Sequence, residues 1–153
     1  MSYLFSETYE RNGASVRVGV PTSANPSGMA GVHKWEFAGN ADFVWVQDMA
    51  GGLNGSGIIM YDPDNFDPDA LEETHLATNQ AYYLYGEVWE MFKKLDGPGG
   101  ALGPPTTDRM YQNGSSDHFI QYFRDGFYEN KKGNLKTFQN HQNWKGFQKT
   151  YWP

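Results

Sequence analysis

The chain contains no cysteine. It therefore folds without disulfides, has no thiolate metal site and cannot use a cysteine nucleophile. That absence fits any compartment. Basic residues are scarce too: 12 Lys and Arg stand against 18 Asp and Glu, a formal net charge of -6. Nucleic acids and anionic membranes need a basic face, so neither is expected as a partner. No apolar run approaches the roughly 20 residues of a membrane span, so no membrane insertion is expected. The first ten residues, Met-Ser-Tyr-Leu-Phe-Ser-Glu-Thr-Tyr-Glu, lack both the basic n-region and the apolar h-region of a signal peptide. The expectation is a cytosolic protein or the mature form of a secreted one. His-Glu-x-x-His, Gly-x-Ser-x-Gly and phosphate-loop patterns are all missing. His33, His75, His118 and His141 are scattered without ligand spacing. No enzyme and no cofactor is expected on these grounds.

What the chain has is aromatic side chains, 16% of 153 residues. Tyr and Trp supply rigid, amphipathic contact area at low entropic cost. Such a surplus serves core packing or a binding surface. The mean hydropathy of -0.70 comes from Gly, Asn, Gln, Tyr and Trp rather than from charge runs. The length suits one domain, 1–153.

Ala101-Leu-Gly-Pro-Pro-Thr-Thr-Asp108 organises the rest. Gly beside Pro fixes the backbone where a helix stops and a strand begins, and Asp108 with its two threonines can hydrogen-bond the turn from within. Upstream, the spacing of Tyr85, Val88, Trp89, Phe92 and Leu95 predicts a helix over about Gln80 to Leu95. Glu90–Lys94 and Glu90–Lys93 pairs would support it, and Asp96-Gly97-Pro98-Gly-Gly100 would stop it. Downstream, His118–Phe123 and Gly126–Tyr128 read as a hairpin across Arg124-Asp125-Gly126. Met110–Gln112 and Leu135–Phe138 read as further strands.

Earlier in the chain, residues 1–13 suit a short strand or helical turn. Val16, Val18 and Val20 alternate with Arg17 and predict a strand over Ala14–Val20. His33–Phe37 is a short strand. Asp42–Met49 is the strongest strand; it is apolar on both faces and so is expected to be covered on both. Gly57–Tyr61 returns beside it. Asp67-Pro68, with Glu72 and Glu73, looks like a capped helix start. Trp144, Phe147, Tyr151 and Trp152 should pack the polar tail (140–153) back onto the domain.

Two segments align: Phe43–Met49 with Gly57–Tyr61, and Asp117–Phe123 with Gly126–Tyr128, each after a Gly-x-Pro-Thr turn. Trp89, Leu95, Gly97, Gly100, Leu102, Gly103, Pro105, Thr106, Asp108, Gln121, Phe123, Gly126 and Tyr128 together resemble the LGFP repeat. The match is good over 81–130 and poor over 16–61; Pro104 stands where the family usually has an aromatic or aliphatic residue. The resemblance implies a non-enzymatic module of cell-surface and cell-wall proteins, a glycan or cell-wall polysaccharide as partner, and here a small free-standing lectin. The fold expected is α+β: short antiparallel strands and hairpins with one principal helix, in two degenerate LGFP-like units at about 14–61 and 80–130.

Glycan binding needs an aromatic face against sugar C–H groups and planar polar side chains for hydroxyl pairs, on loops held by a rigid scaffold. The candidates are Trp35, Asp48, Asn54 and Tyr61 in the first unit, and Tyr111, Asn113, Asp117, Tyr122, Arg124 and Asp125 in the second. The bland alternative makes the Asp residues turn-formers and the Tyr residues structural. Asp62, Asp64, Asp67 and Asp69 offer hard oxygen ligands for calcium, but the EF-hand spacing is unmet and a helix cap explains them better. A carboxylate-dependent glycoside hydrolase would draw on Glu36, Asp48, Asp108 or Asp125. A structural or protein-binding module that self-assembles, hence a homo-oligomer, is the other alternative; it would bury its aromatics in a symmetric interface.

Overall fold

The computed structural model describes residues 3–22, 31–39, 41–63, 80–111, 117–130 and 134–137. The fold is α+β, with antiparallel sheets. Helix α1 (Tyr3–Arg11) leads into a single helical turn, α2 (Ala14–Arg17), and strand β1 (Gly19–Pro21). Strands β2 (His33–Phe37), β3 (Asp42–Gly51), β4 (Gly57–Tyr61) and β5 (Ala81–Tyr85) follow. Helix α3 (Gly86–Lys94) and a 3-10 turn (Gly97–Gly99) lead to β6 (Met110–Tyr111), β7 (Phe119–Phe123), β8 (Gly126–Glu129) and β9 (Asn134–Thr137).

The first sheet runs β1-β3-β4-β5, with β2 also paired to β3; the second runs β6-β7-β8-β9. Strand β3 is covered on both faces, as its double-sided apolar pattern requires. Val44 and Val46 enter one core with Ile58, Leu84, the α3 residues Val88 and Phe92, and Phe123 from the second sheet. Met49 enters another with Phe5 of α1, Ile59 and Tyr83. The central sheet thus lies between α1 on one face and α3 with the second sheet on the other.

Two sequence expectations change. The helix expected from Gln80 begins only at Gly86; Ala81–Tyr85 is a strand paired to β4 in the register Gly57↔Tyr85 to Tyr61↔Ala81. Ala81 through Leu84 are all buried, which a surface helix would not achieve with four consecutive residues. Gly86, at φ +58, makes the strand-to-helix break in a backbone region that L side chains avoid. Within α3, Glu90 pairs with Lys93 at 3.0 Å. The strand expected over Ala14–Val20 is a helical turn followed by β1. The chain turns through left-handed conformations at Gly13 and Ala14, leaving Val18 buried while Val16 and Val20 stand 67% and 56% exposed. Over so short a stretch, alternation marks neither element uniquely.

Strands β2, β3, β4 and β6 to β9 lie where expected, within one or two residues at their ends. Residues 3–11, which suited a short strand or helical turn, form a helix as long as α3. The β7–β8 hairpin closes on two residues, Arg124 and Asp125, with Phe123 opposite Gly126. The Asp67-Pro68 cap and the aromatic tail lie outside the described residues. Among the described residues, no helix is long and apolar enough to cross a membrane.

Candidate functional site

Strand β5 is an edge of the first sheet, and an edge carries a row of outward N–H and C=O groups. Here side chains take four groups of that row. The Ala81 carbonyl accepts from Thr8 Oγ1 at 2.7 Å and from Arg11 Nη2 at 3.1 Å. The Tyr83 N–H donates to Asp108 Oδ1 at 3.0 Å, and the Tyr83 carbonyl accepts from Gln121 Nε2 at 3.1 Å. The Tyr85 carbonyl accepts from Arg109 Nη2 at 2.6 Å. Asp108 also accepts from Arg11 Nε at 2.6 Å and Asn12 Nδ2 at 3.2 Å. Its carboxylate bonds outward to α1 and β5, not within its own turn as the sequence suggests. Thr107 Oγ1 accepts the Tyr122 N–H at 3.1 Å, and Gln121 Nε2 also reaches the Thr107 carbonyl at 2.8 Å. The Leu-Gly-Pro-Pro-Thr-Thr-Asp turn is thus a seam joining the two sheets.

At the Tyr85 end of this seam lies an aromatic surface. Arg109 places its guanidinium carbon 3.6 Å from the Tyr85 ring centre and 4.0 Å from that of Phe119. A cation clamped between two π faces is held in place electrostatically. The Tyr85 and Tyr111 hydroxyls are 2.8 Å apart. The Tyr111 ring stands edge-on to Phe119 at 5.7 Å and is 44% exposed. Phe119 touches Tyr128 at 6.2 Å, and the Tyr128 hydroxyl donates to Glu87 Oε2 at 2.5 Å. Tyr83 stacks behind Tyr85 at 4.7 Å. Burial, and then the bond to Tyr111, raises the Tyr85 pKa. Burial, then the Glu87 hydrogen bond and charge, pushes Tyr128 up to about 12. Both phenols stay neutral at physiological pH and keep their protons for hydrogen bonding.

The sequence candidates fall in several environments. Tyr111 is in this surface, and Asp117 precedes β7 two residues before Phe119. Asp117 is exposed, and its carbonyl accepts from Asn130 Nδ2 at 2.5 Å. Tyr122 is fully buried against Phe127, so it offers no face to a ligand from solvent. Trp35 is half-buried, edge-on to Trp89 at 6.3 Å and to Phe92 at 6.2 Å, with its ring against Gly97. Arg124 and Asp125 form the hairpin tip, 3.4 Å apart. Their N–H groups bond the Pro104 and Leu102 carbonyls, and their side chains cover Gly103, where a Cβ would lie 2.8 Å from Asp125 Oδ2. Asp48 stands 4.0 Å from His33, and Asn54 sits by the Tyr83 hydroxyl with its N–H bonded to the Arg17 carbonyl. Tyr61 packs against the α1-side core. Asp62 is buried; Asn113, Asp64, Asp67 and Asp69 lie outside the described residues. Among the described residues, no three His, Asp or Glu side chains come together as a metal-binding group. Of the acids weighed for hydrolysis, Asp108 is committed to the seam and Glu36 is exposed on β2.

Tyr85, Glu87, Arg109 and Tyr128 complete the surface and were not among the sequence candidates. Tyr85 and Glu87 fall in the stretch that reads as helix. Arg109 and Tyr111 carry one available signal: residues two apart on an extended segment share a face. Compared with known proteins, the chain matches no family model, no curated protein and no solved structure.

Proposed function

We propose that the protein binds glycan without catalysis, through the Tyr85–Arg109–Tyr111–Tyr128–Glu87 surface. The observation that carries this is Tyr111: a 44% exposed ring, fixed edge-on by Phe119 and tied by its hydroxyl to Tyr85. A sugar ring offers C–H groups on one face and hydroxyls at its rim. Tyr111 supplies the aromatic face. The Glu87 carboxylate and the neutral Tyr128 phenol supply planar polar groups beside it. Because these groups already hold one another, little side-chain freedom remains to be lost on binding. The LGFP-like pattern over 81–130 supports the same reading, since it implies a module of glycan-associated proteins. That pattern's Asp108 and Gln121, with the neighbouring Thr107, hold the seam, which leaves recognition to the residues around them.

A broad glycan array on labelled protein tests this, run with and without EDTA. Selective retention on one glycan family is expected, weakened about tenfold or more by Tyr111→Ala, the equivalent of one lost contact of about 1.4 kcal/mol. The melting temperature should hold, because the ring is largely outside the core. A blank array from folded protein would favour a structural or protein-binding module instead. Loss of retention with EDTA would turn attention to calcium at the 62–69 acidic stretch.

A further inference from the structure

Two charged groups stand at the Tyr111 surface, and they meet solvent differently. Arg109 is half-buried. Its guanidinium carbon lies 3.6 Å from the Tyr85 ring centre and 4.0 Å from that of Phe119. Nη2 is bonded to the Tyr85 carbonyl, and Nε is closed off from solvent. A guanidinium packed against two rings and bonded to the backbone serves the scaffold first.

Glu87 is turned outward. It is exposed in the first turn of α3. Among the described residues its carboxylate has one partner, the Tyr128 hydroxyl on Oε2, and no ion pair. Burial, and then the Glu87 bond and charge, pushes the Tyr128 phenol up to about 12, so it donates a proton without surrendering it. The phenol satisfies one oxygen and leaves the charge in place. Oε1 remains for a ligand.

Ligand charge then decides the fit. An acidic sugar meets Glu87 as a like charge. A neutral hydroxyl or acetamide can donate one hydrogen bond to Oε1. A protonated amine donates the same bond and brings the positive charge that Glu87 lacks, and charge-assisted hydrogen bonds are about twice as strong as neutral ones. An ammonium is also attracted to aromatic faces. Phe119 stands between the stacking ring and the Glu87–Tyr128 pair, 5.7 Å from the Tyr111 ring and 6.2 Å from the Tyr128 ring. That spacing suits stacking and ion pairing on neighbouring units of one sugar chain.

We propose that this surface selects glycans carrying a protonated amine, hexosamines without their N-acetyl group, and that Glu87 sets the preference. The inference rests on the glycan-binding reading above, with Tyr111 against the sugar's C–H face.

A glycan array of matched pairs tests it. Glucosamine and galactosamine oligomers are printed as the free amine and as the N-acetylated form, with oligogalacturonate as the acidic probe, at mildly acidic pH where the amine is protonated. The free amines should be retained about fivefold more strongly than their N-acetylated partners, and oligogalacturonate not at all. Glu87→Gln keeps an acceptor for Tyr128 at an exposed position and removes the charge; it should level each pair. Glu7→Gln removes the same charge from α1, on the opposite face of the central sheet, and should leave the preference intact. That control separates the site from the general attraction of an acidic protein for a polycation. Equal retention within the pairs, stronger retention of the acid, a preference that survives Glu87→Gln, or one lost in Glu7→Gln would each overturn the assignment while glycan binding itself stands. Retention of no glycan at all would remove both readings.

Discussion

Asp108 shows how much one side chain holds. One oxygen caps the outward N–H of Tyr83, and the other takes Arg11 and Asn12 from the end of α1. Asp108→Ala leaves a strand N–H and a cation without their acceptor. Hydrogen bonds to charged groups contribute about 1.5–3 kcal/mol, so a loss of about 2–3 kcal/mol in urea unfolding is expected. Asp108→Asn keeps an acceptor for Tyr83 and loses only the charge, so it should cost about half as much by the same reasoning. Equal costs would mean that the charge carries the whole effect and the Tyr83 hydrogen bond adds nothing. From sequence, the importance of Asp108 was legible but its partners were not. A turn-forming aspartate and one that reaches across to another strand look the same until the strand is placed. The same limit applies to Tyr122. Its alternation with Gln121 fits a half-exposed hairpin, but the second sheet packs so that all of Phe119–Phe123 is buried.

Among the elements, β2, β3, β4 and the β7–β8 hairpin were readable because their patterns are local. Alternation, a two-residue turn and flanking glycines suffice for them. Strand β5 was not. Its Ala-Tyr-Tyr-Leu-Tyr run continues into a true helix, and Tyr85 sits at a spacing that suits the helical stripe. The distinguishing residue is Gly86, which an interior helical position would tolerate poorly but a left-handed junction requires. A Cβ at Gly86 meets no clash, with Arg109 Nη2 at 3.5 Å as its nearest neighbour. Gly86→Ala should therefore cost only the left-handed backbone, about 1–2 kcal/mol, measured as a lower unfolding midpoint with the far-ultraviolet spectrum unchanged. A stabilised variant would show that the strand-to-helix junction is not built this way. The aromatic surface proposed to bind glycan is hidden from the sequence for the same reason: two of its residues, Tyr85 and Glu87, flank this junction, and their placement depends on it.

For the whole molecule, the tyrosines couple stability to alkaline pH. Tyr82, Tyr83, Tyr85 and Tyr128 all have folded pKa values above the ordinary 10.0, each chiefly through burial. A raised folded pKa means the native state holds the proton more tightly than the unfolded chain. The resulting stability is fully present below about pH 10 and is lost as pH rises through the folded values, which for Tyr128 is about 12. Melting temperatures should stay level up to pH 10 and then fall steadily. A flat profile to pH 12 would show that these phenols ionise alike in both states.

Glycan recognition by a preorganised aromatic surface rests most directly on where a retained glycan touches the protein. Aromatic-ring NMR with the best array ligand measures this. Saturable shifts are expected at the rings of Tyr85, Tyr111, Phe119 and Tyr128, reduced to baseline in Tyr111→Ala. Shifts confined to Trp35, or to the backbone of the Arg124–Asp125 hairpin tip while these four rings stay still, would place binding elsewhere and contradict the assignment.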